Sequence, residues 1–157
     1  MMSSDVMTRQ IQGLRGANYY RDFLTQHGKG DYRIYVDADP FARVDVLQVA
    51  PDGQQSHVEL KSRSVTIDQY PDCIVEAFKI GHLQAIHQET GERTLLVALY
   101  PRSNKIAMWV IREDDEYVIV NKHCNDITIQ IGQANKVPKT MVSLPMSEAK
   151  IYDYNFN

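Results

Sequence analysis

The segment from Arg43 to Arg63 constrains the fold more than any other part of the chain, because it contains two apolar-rich runs separated by Pro51-Asp52-Gly53. Proline presets φ for the first turn position, aspartate tolerates the second, and glycine supplies the left-handed conformation that the third requires. The pattern predicts a β-hairpin with a three-residue loop, flanked by Ala50 and Gln54.

The register of this hairpin follows from counting outward from the loop, which places Asp45 opposite Glu59. Side chains alternate between the two faces of a strand, so the hairpin is predicted to have one apolar and one polar face. The apolar face is predicted to contain Val44, Val46, Val58 and Leu60. The polar face is predicted to contain Arg43, Asp45, Glu59, Lys61 and Arg63.

Two opposed carboxylates on this polar face require a positive group nearby, because like charges directly across a strand pair are destabilising. A divalent cation could supply the charge, and so could Arg43 with Lys61. Carboxylate and carbonyl oxygens suit Mg²⁺, which takes one or two carboxylates and fills its other positions with water and substrate phosphate. The sequence therefore predicts a phosphoryl-transfer site, with the two basic residues as the alternative.

Asp45, followed on the next strand by Glu59-Leu60-Lys61, resembles the signature of the PD-(D/E)XK nuclease superfamily, in which an acidic residue precedes an acid-any-Lys triplet. The stretch from Val58 to Arg63 is similar to the form seen in resolvase-like and phage-encoded members, and the resemblance covers roughly residues 10 to 100. It implies a restriction-endonuclease-like fold of α/β or α+β class, with a mixed central sheet flanked by helices. It also implies hydrolysis of nucleic-acid phosphodiester bonds by a metal-activated water, in a DNA endonuclease.

The same resemblance implies a role for each residue of the motif. Asp45 and Glu59 would hold Mg²⁺, with Mn²⁺ able to substitute, and the backbone carbonyl of Leu60 would complete the protein ligands. Lys61 would orient or activate the attacking water. These roles agree with general chemistry, since a metal lowers the pKa of water and an ammonium group stabilises developing negative charge.

Four further residues are candidates around this site. Members of the superfamily often carry a Glu on the first helix, and because residues 13–28 contain none, Asp22 is a possible substitute ligand. Arg43, Arg63 and Lys79 are predicted to contact nucleic acid. The alternative for Lys79 is a surface ion pair with Glu76, and for Arg63 a solvated charge at the end of a strand.

Length, composition and net charge limit the number of domains and the class of protein. A chain of 157 residues, 43% of them hydrophobic, suffices for one globular domain, predicted as a core over about 10–111 and a β-rich C-terminal extension over about 112–157. The absence of an apolar run long enough for a membrane span, and of a signal-peptide pattern, predicts a cytoplasmic protein without a membrane partner.

A net charge of −3 argues against a strongly basic nucleic-acid coat. The alternative function is therefore a catalytically inactive nuclease-like fold that binds nucleic acid or protein, and a homodimer stays open.

Hydrophobic periodicity predicts an α-β-β-β-α-β core. Its predicted elements are a helix over about 15–27, a strand over 32–36, the hairpin, a helix over about 72–89 ended by Gly91, and strands over 94–100, 105–111 and 117–121. Ile127, Ile129 and Ile131 alternate as in a strand. The alternating Tyr152, Tyr154 and Phe156 predict an edge strand docked on the sheet, with a stacking platform for bases as the alternative.

Overall fold

The structure is a computed structural model that describes residues 4–28, 30–37, 43–125 and 136–157. Within these ranges the fold is mixed α+β, with a six-stranded sheet, a three-stranded sheet and two α-helices. The elements in chain order are α1 (Ser4–His27), β1 (Arg33–Val36), β2 (Val46–Val49), β3 (Gln55–Ser62), β4 (Asp72–Glu76), α2 (Ala77–Thr90), β5 (Arg93–Tyr100), β6 (Lys105–Ile111), β7 (Val118–Asn125), β8 (Lys136–Pro145) and β9 (Lys150–Asp153). Neither helix combines the length and the apolar composition that crossing a membrane requires.

The large sheet has the strand order β1-β2-β3-β5-β6-β9, in which β3 and β5 are parallel and the other neighbours are antiparallel. The predicted hairpin register is confirmed, because Val46 pairs with Val58 across β2 and β3. The loop closes as expected, since the Ala50 N–H donates to the Gln54 carbonyl at 2.9 Å and Gly53 has φ +89°. This register places Val46, the first residue of β2, beside Val58 in the middle of β3.

One face of the large sheet packs against α1. Ala17, Tyr20 and Phe23 recur at intervals of three residues, which places them on one side of the helix, and they share a core with Val46 and Val58. The Tyr20 hydroxyl, itself fully buried, donates to Gln48 Oε1 at 2.6 Å.

The C-terminal aromatic residues join the same core. Strand β9 lies at the edge of the sheet beside β6, and Tyr152, Tyr154 and Phe156 pack against this core. The predicted edge strand is therefore confirmed at Tyr152, whereas Tyr154 and Phe156 lie beyond its end at Asp153. The rings contact Tyr19 and Phe23 of α1 instead of forming an open platform for bases.

The other face of the large sheet is covered by α2 and by the small sheet, whose strand order is β4-β8-β7. The prediction that a helix begins at Asp72 is wrong, because residues 72–76 form β4. Cys73 and Val75 alternate with less buried neighbours, and β4 pairs with β8, which lies far along the chain. The helix begins at Ala77, and Gly91, with φ +68°, ends it as predicted.

The structure shows how buried the polar face is and corrects one prediction about the apolar face. On the polar face, Glu59 of β3 is only 2% exposed, whereas the Arg43 side chain is 47% exposed. Val44 packs against the α2 side and not with Val46, because the chain bends at residues 43 and 45 and the alternation of β2 begins only at Val46. The predicted strand through Ile127, Ile129 and Ile131 lies outside the described residues.

Candidate active site

The hairpin places Asp45, just before β2, beside Glu59 in the middle of β3. Glu59 lies opposite Leu96 of β5, on the face that α2 covers. Asp45 immediately precedes β2, and its Oδ2 accepts a hydrogen bond from the backbone N–H of Leu60 at 2.9 Å. That bond fixes the Asp45 carboxylate against β3 at the position next to Glu59.

Two lysine ammonium groups converge on the buried Glu59 carboxylate. Lys79, the third residue of α2, places Nζ 2.7 Å from Glu59 Oε1, and Lys61 Nζ lies 3.8 Å from the same oxygen. The Lys79 side chain is 26% exposed, whereas that of Glu59 is 3% exposed, so Lys79 connects the site to solvent. We refer to Asp45, Glu59, Lys61 and Lys79 as the Glu59 cluster.

Two factors determine the pKa values in the cluster: the burial of its side chains and the short distances between their charges. Burial, and after it the charge of Asp45, raises the pKa of Glu59 from 4.5 to about 7, although both lysines act in the opposite direction. Burial and the neighbouring Lys79 charge lower the pKa of Lys61 from 10.5 to about 8. For Lys79, burial acts to lower the pKa, but the charge of Glu59 and its hydrogen bond outweigh burial and raise it.

The donor set of the cluster fits a hard divalent cation. Among the described residues, no group of three or more His, Cys, Asp and Glu side chains could hold a metal. The cluster offers two carboxylates, and Mg²⁺ commonly binds through one or two. Repulsion from Asp45 helps to raise the pKa of Glu59, and a cation between them would relieve that repulsion. The backbone carbonyl of Leu60 remains a predicted ligand of the metal. In the structure, the Lys79 ammonium group is the partner of Glu59 Oε1.

Asp22 is not brought to this cluster. Its Oδ2 accepts hydrogen bonds from the Tyr154 hydroxyl at 2.6 Å and from Gln26 Nε2 at 3.1 Å. Helix α1 covers the opposite face of the sheet, and Tyr154 follows β9, which lies three strand spacings, roughly 14 Å, from β3. The predicted substitute ligand therefore anchors the C-terminal segment to α1.

The predicted nucleic-acid contacts lie at different places. Arg43 Nη1 is 3.4 Å from Glu89 Oε2 in an exposed ion pair, so Arg43 is not the residue that balances the two acids. Arg63 Nη2 donates to the Ile74 carbonyl of β4 at 2.6 Å, and the guanidinium lies near enough to Lys61 to contribute to its lowered pKa. Neither prediction of a phosphate contact is tested by these positions.

Sequence reasoning missed the direct contact of Lys79 with Glu59. The alternative prediction, a pair between Lys79 and Glu76, is wrong, because Glu76 ends β4 and its Oε2 lies 3.9 Å from Lys139 Nζ. Glu76 and Lys79 do not share a helix, since α2 begins after Glu76. No local signal in the sequence indicates that the first turn of α2 faces β3.

No protein-family model matches the chain, and no curated protein matches it. One similar solved structure is the Holliday junction resolvase Hjc of Archaeoglobus fulgidus, which is 16% identical over 62% of this chain and 73% of that chain, with a TM-score of 0.45. Another is the protein SSO0001, which is 16% identical over 68% of this chain and 51% of that chain, with a TM-score of 0.36. These values are too low to transfer an activity, so the residues of the Glu59 cluster have to support any functional assignment.

Proposed function

We propose that this chain is a metal-dependent nuclease that hydrolyses phosphodiester bonds of nucleic acid. The observation that supports the proposal is the approach of Lys61 and Lys79 to one oxygen of the buried Glu59 carboxylate, with Asp45 held on the adjacent residue of β3 by the Leu60 N–H. Phosphodiester hydrolysis requires positive charge at the phosphate and a positioned water, and this set of groups could supply both. DNA is the substrate that the motif resemblance implies.

Asp45 and Glu59 are the groups that would hold the cation. When bound, Mg²⁺ or Mn²⁺ would neutralise charge on the phosphate and lower the pKa of water. Asp45 is oriented for this role by the Leu60 N–H, which leaves its second oxygen for other partners. Glu59 is held in place by the two strands beside β3 and by its lysine partners.

The two lysines differ in exposure and therefore in role. Lys61 is 14% exposed, and its pKa of about 8 lets it hold or release a proton near neutral pH, as a residue that handles the attacking water must. Lys79 is more exposed, keeps a raised pKa and stays charged, so it is the group suited to contact a substrate phosphate.

The test is cleavage of labelled single-stranded, branched and duplex DNA, and of RNA, in the presence of Mg²⁺ or Mn²⁺. Wild-type protein is expected to cleave DNA, and Asp45→Asn, Glu59→Gln and Lys61→Met are expected to lose cleavage while remaining folded. Glu89→Gln and Lys105→Met are matched controls, because both residues form exposed ion pairs outside the cluster. Cleavage that persists in all three cluster variants would contradict the proposal.

A second candidate function, a binding module without catalysis, is favoured by one observation. Lys79 Nζ already lies 2.7 Å from Glu59 Oε1, so a lysine fills the position that a cation would need. In this case the cluster would be a buried ion-pair network that stabilises the fold. Calorimetric titration with Mn²⁺ separates the two functions: saturable binding that Glu59→Gln removes supports the nuclease, and no binding to a folded wild-type chain supports the module.

A further inference from the structure

A cavity of about 360 Å³ lies between the segment that follows β3 and the start of β4. Its buried wall is formed by Cys73 and Tyr100, and Ile67 and Ile74 add further apolar surface. Tyr70, 55% exposed, also lines the cavity and connects it to solvent. The volume is within the range of pockets that hold small organic ligands or parts of larger ones.

Two residues that line the cavity, Arg63 and Ile74, lie close in sequence to Lys61 and to its neighbour Glu76. Arg63, which lines the cavity, follows Lys61 by two residues, a distance of roughly 7 Å in extended chain. Ile74, on the opposite wall, precedes Glu76 by two residues on β4, and the charges of both Glu76 and Arg63 act on Lys61. A group in the cavity would therefore be a close neighbour of a group held by the cluster.

Hydrogen bonds hold the walls of the cavity in place. The Ile67 N–H donates to Ser103 Oγ at 2.9 Å, and Arg102 Nη1 donates to the Ser64 carbonyl at 3.2 Å, so the connecting segment is tied to the turn after β5 at two points. The bond from Arg63 Nη2 to the Ile74 carbonyl joins the two walls. The cavity is pre-formed, as ligand pockets usually are.

The chemistry of the walls suits a flat heteroaromatic group. Tyr70 offers an exposed ring face and Arg63 a guanidinium plane, and both are surfaces on which unpaired bases stack. Thr66 and Asp72 add polar groups that could meet the hydrogen-bonding edge of a base, and the Asp72 carboxylate already accepts a hydrogen bond from the Ser143 hydroxyl. A base pair within a continuous duplex could not enter this cavity, because its bases are stacked and paired on both sides.

We propose that the cavity receives one unpaired base of the substrate strand, next to the phosphate that the Glu59 cluster hydrolyses. The enzyme then selects nucleic acid with an unpaired base at the cleavage point over continuous duplex. This inference rests on the proposed nuclease function for the identity of the neighbouring phosphate. The base-binding step itself requires no cleavage and is measured separately.

The test measures binding of fluorescently labelled oligonucleotides in EDTA, where metal-dependent cleavage cannot occur. Wild-type protein is compared with Tyr70→Ala, Tyr70→Phe and the control Tyr35→Ala, whose tyrosine is 51% exposed on β1. The substrates are a duplex with one unpaired base, the same sequence fully paired, and a nucleoside monophosphate as competitor. Thermal unfolding of each variant verifies that it is folded.

We expect wild-type protein to bind the substrate with the unpaired base about tenfold more tightly than the paired duplex, as one stacked base provides. Tyr70→Ala should lose this preference, whereas Tyr70→Phe, which keeps the ring, and Tyr35→Ala should retain it. Equal binding of the two substrates by wild-type protein, or an unchanged preference in Tyr70→Ala, would overturn the inference. Competition by the monophosphate as strong as that by the oligonucleotide would also overturn it, since the cavity would then be a site for free nucleotides.

These outcomes are distinct from failure of the proposed function. If wild-type protein cleaves no substrate and Tyr70→Ala loses the preference for the unpaired base, the result would support the base pocket and contradict the proposed nuclease activity. Cleavage that requires Glu59 but shows no dependence on Tyr70 would support the nuclease and contradict the base pocket.

Discussion

In the wild type, the free energy of unfolding should fall as the pH rises, because the buried Glu59 carboxyl group loses its proton. Replacing Glu59 with glutamine should remove this pH dependence. Burial and the Asp45 charge raise the pKa of Glu59 in the folded protein from 4.5 to about 7. Between these two values the folded protein keeps a proton that the unfolded chain has released. The contribution of Glu59 to stability is therefore fully present below pH 4.5 and is lost as the pH rises through about 7.

The size of the effect follows from the interval between the two pKa values. An interval from 4.5 to about 7 corresponds to about 3 kcal/mol, at roughly 1.4 kcal/mol per pH unit. Glutamine still offers an oxygen to Lys79 but does not titrate. The free energy of unfolding of Glu59→Gln, minus that of the wild type, should therefore rise by about 3 kcal/mol between pH 4 and pH 7. Lys61 has a pKa of about 8 and titrates mostly above this range.

The assay is urea unfolding of wild type and variant at half-unit pH steps across this range, without added metal. Glu89→Gln is the matched control, because Glu89 is an exposed glutamate whose ion pair with Arg43 contributes little. Its difference from the wild type should stay within about 0.5 kcal/mol at every pH. A difference between Glu59→Gln and the wild type that stays constant to within about 1 kcal/mol would refute the reasoning that burial and Asp45 dominate over the two lysines.

Three further predictions follow from the same contacts. Lys79→Met should bind Mn²⁺ about tenfold more tightly than wild type in calorimetric titration, because the ammonium no longer occupies Glu59 Oε1; weaker binding would show that Lys79 assists the metal. Lys61→Met should lower the single-turnover cleavage rate at least 100-fold, and wild-type cleavage should rise with pH through about 8 as Lys61 releases its proton; a flat pH profile would exclude proton transfer by this lysine. Tyr154→Phe should lower the free energy of unfolding in urea by about 1 kcal/mol, through loss of the hydrogen bond to Asp22, and leave cleavage unchanged; reduced cleavage by a stable variant would place Asp22 in the active site.

Features with a local cause were predicted correctly. The turn at Pro51-Asp52-Gly53 determines the hairpin, because residue types with particular backbone preferences occur in a fixed order, and the register of β2 and β3 follows from it. Gly91 ends α2 because the helix needs a residue with positive φ at that point. The alternation of Tyr152, Tyr154 and Phe156 predicts an edge strand; β9 forms over Lys150–Asp153, and all three rings pack against the core.

Features that depend on distant partners were not predicted. Residues 72–76 form a strand because β8 pairs with them, and that partner lies far along the chain. Lys79 contacts Glu59 because β4 delays the start of α2 and directs its first turn toward β3, where the sequence indicated only a spacing from Glu76. The Asp22 prediction failed for the same kind of reason, since the packing of α1 decides which face of the sheet its side chains meet.

The sequence by itself determined the hairpin, its register and hence the placement of Asp45 beside Glu59, because turn chemistry and alternation act over neighbouring residues. Only the tertiary structure decided that Glu59 on this face is buried and that Lys79 pairs with its carboxylate. Burial arises when α2 and the small sheet pack on β3, and it is this packing, through desolvation, that raises the pKa of Glu59 and lowers that of Lys61.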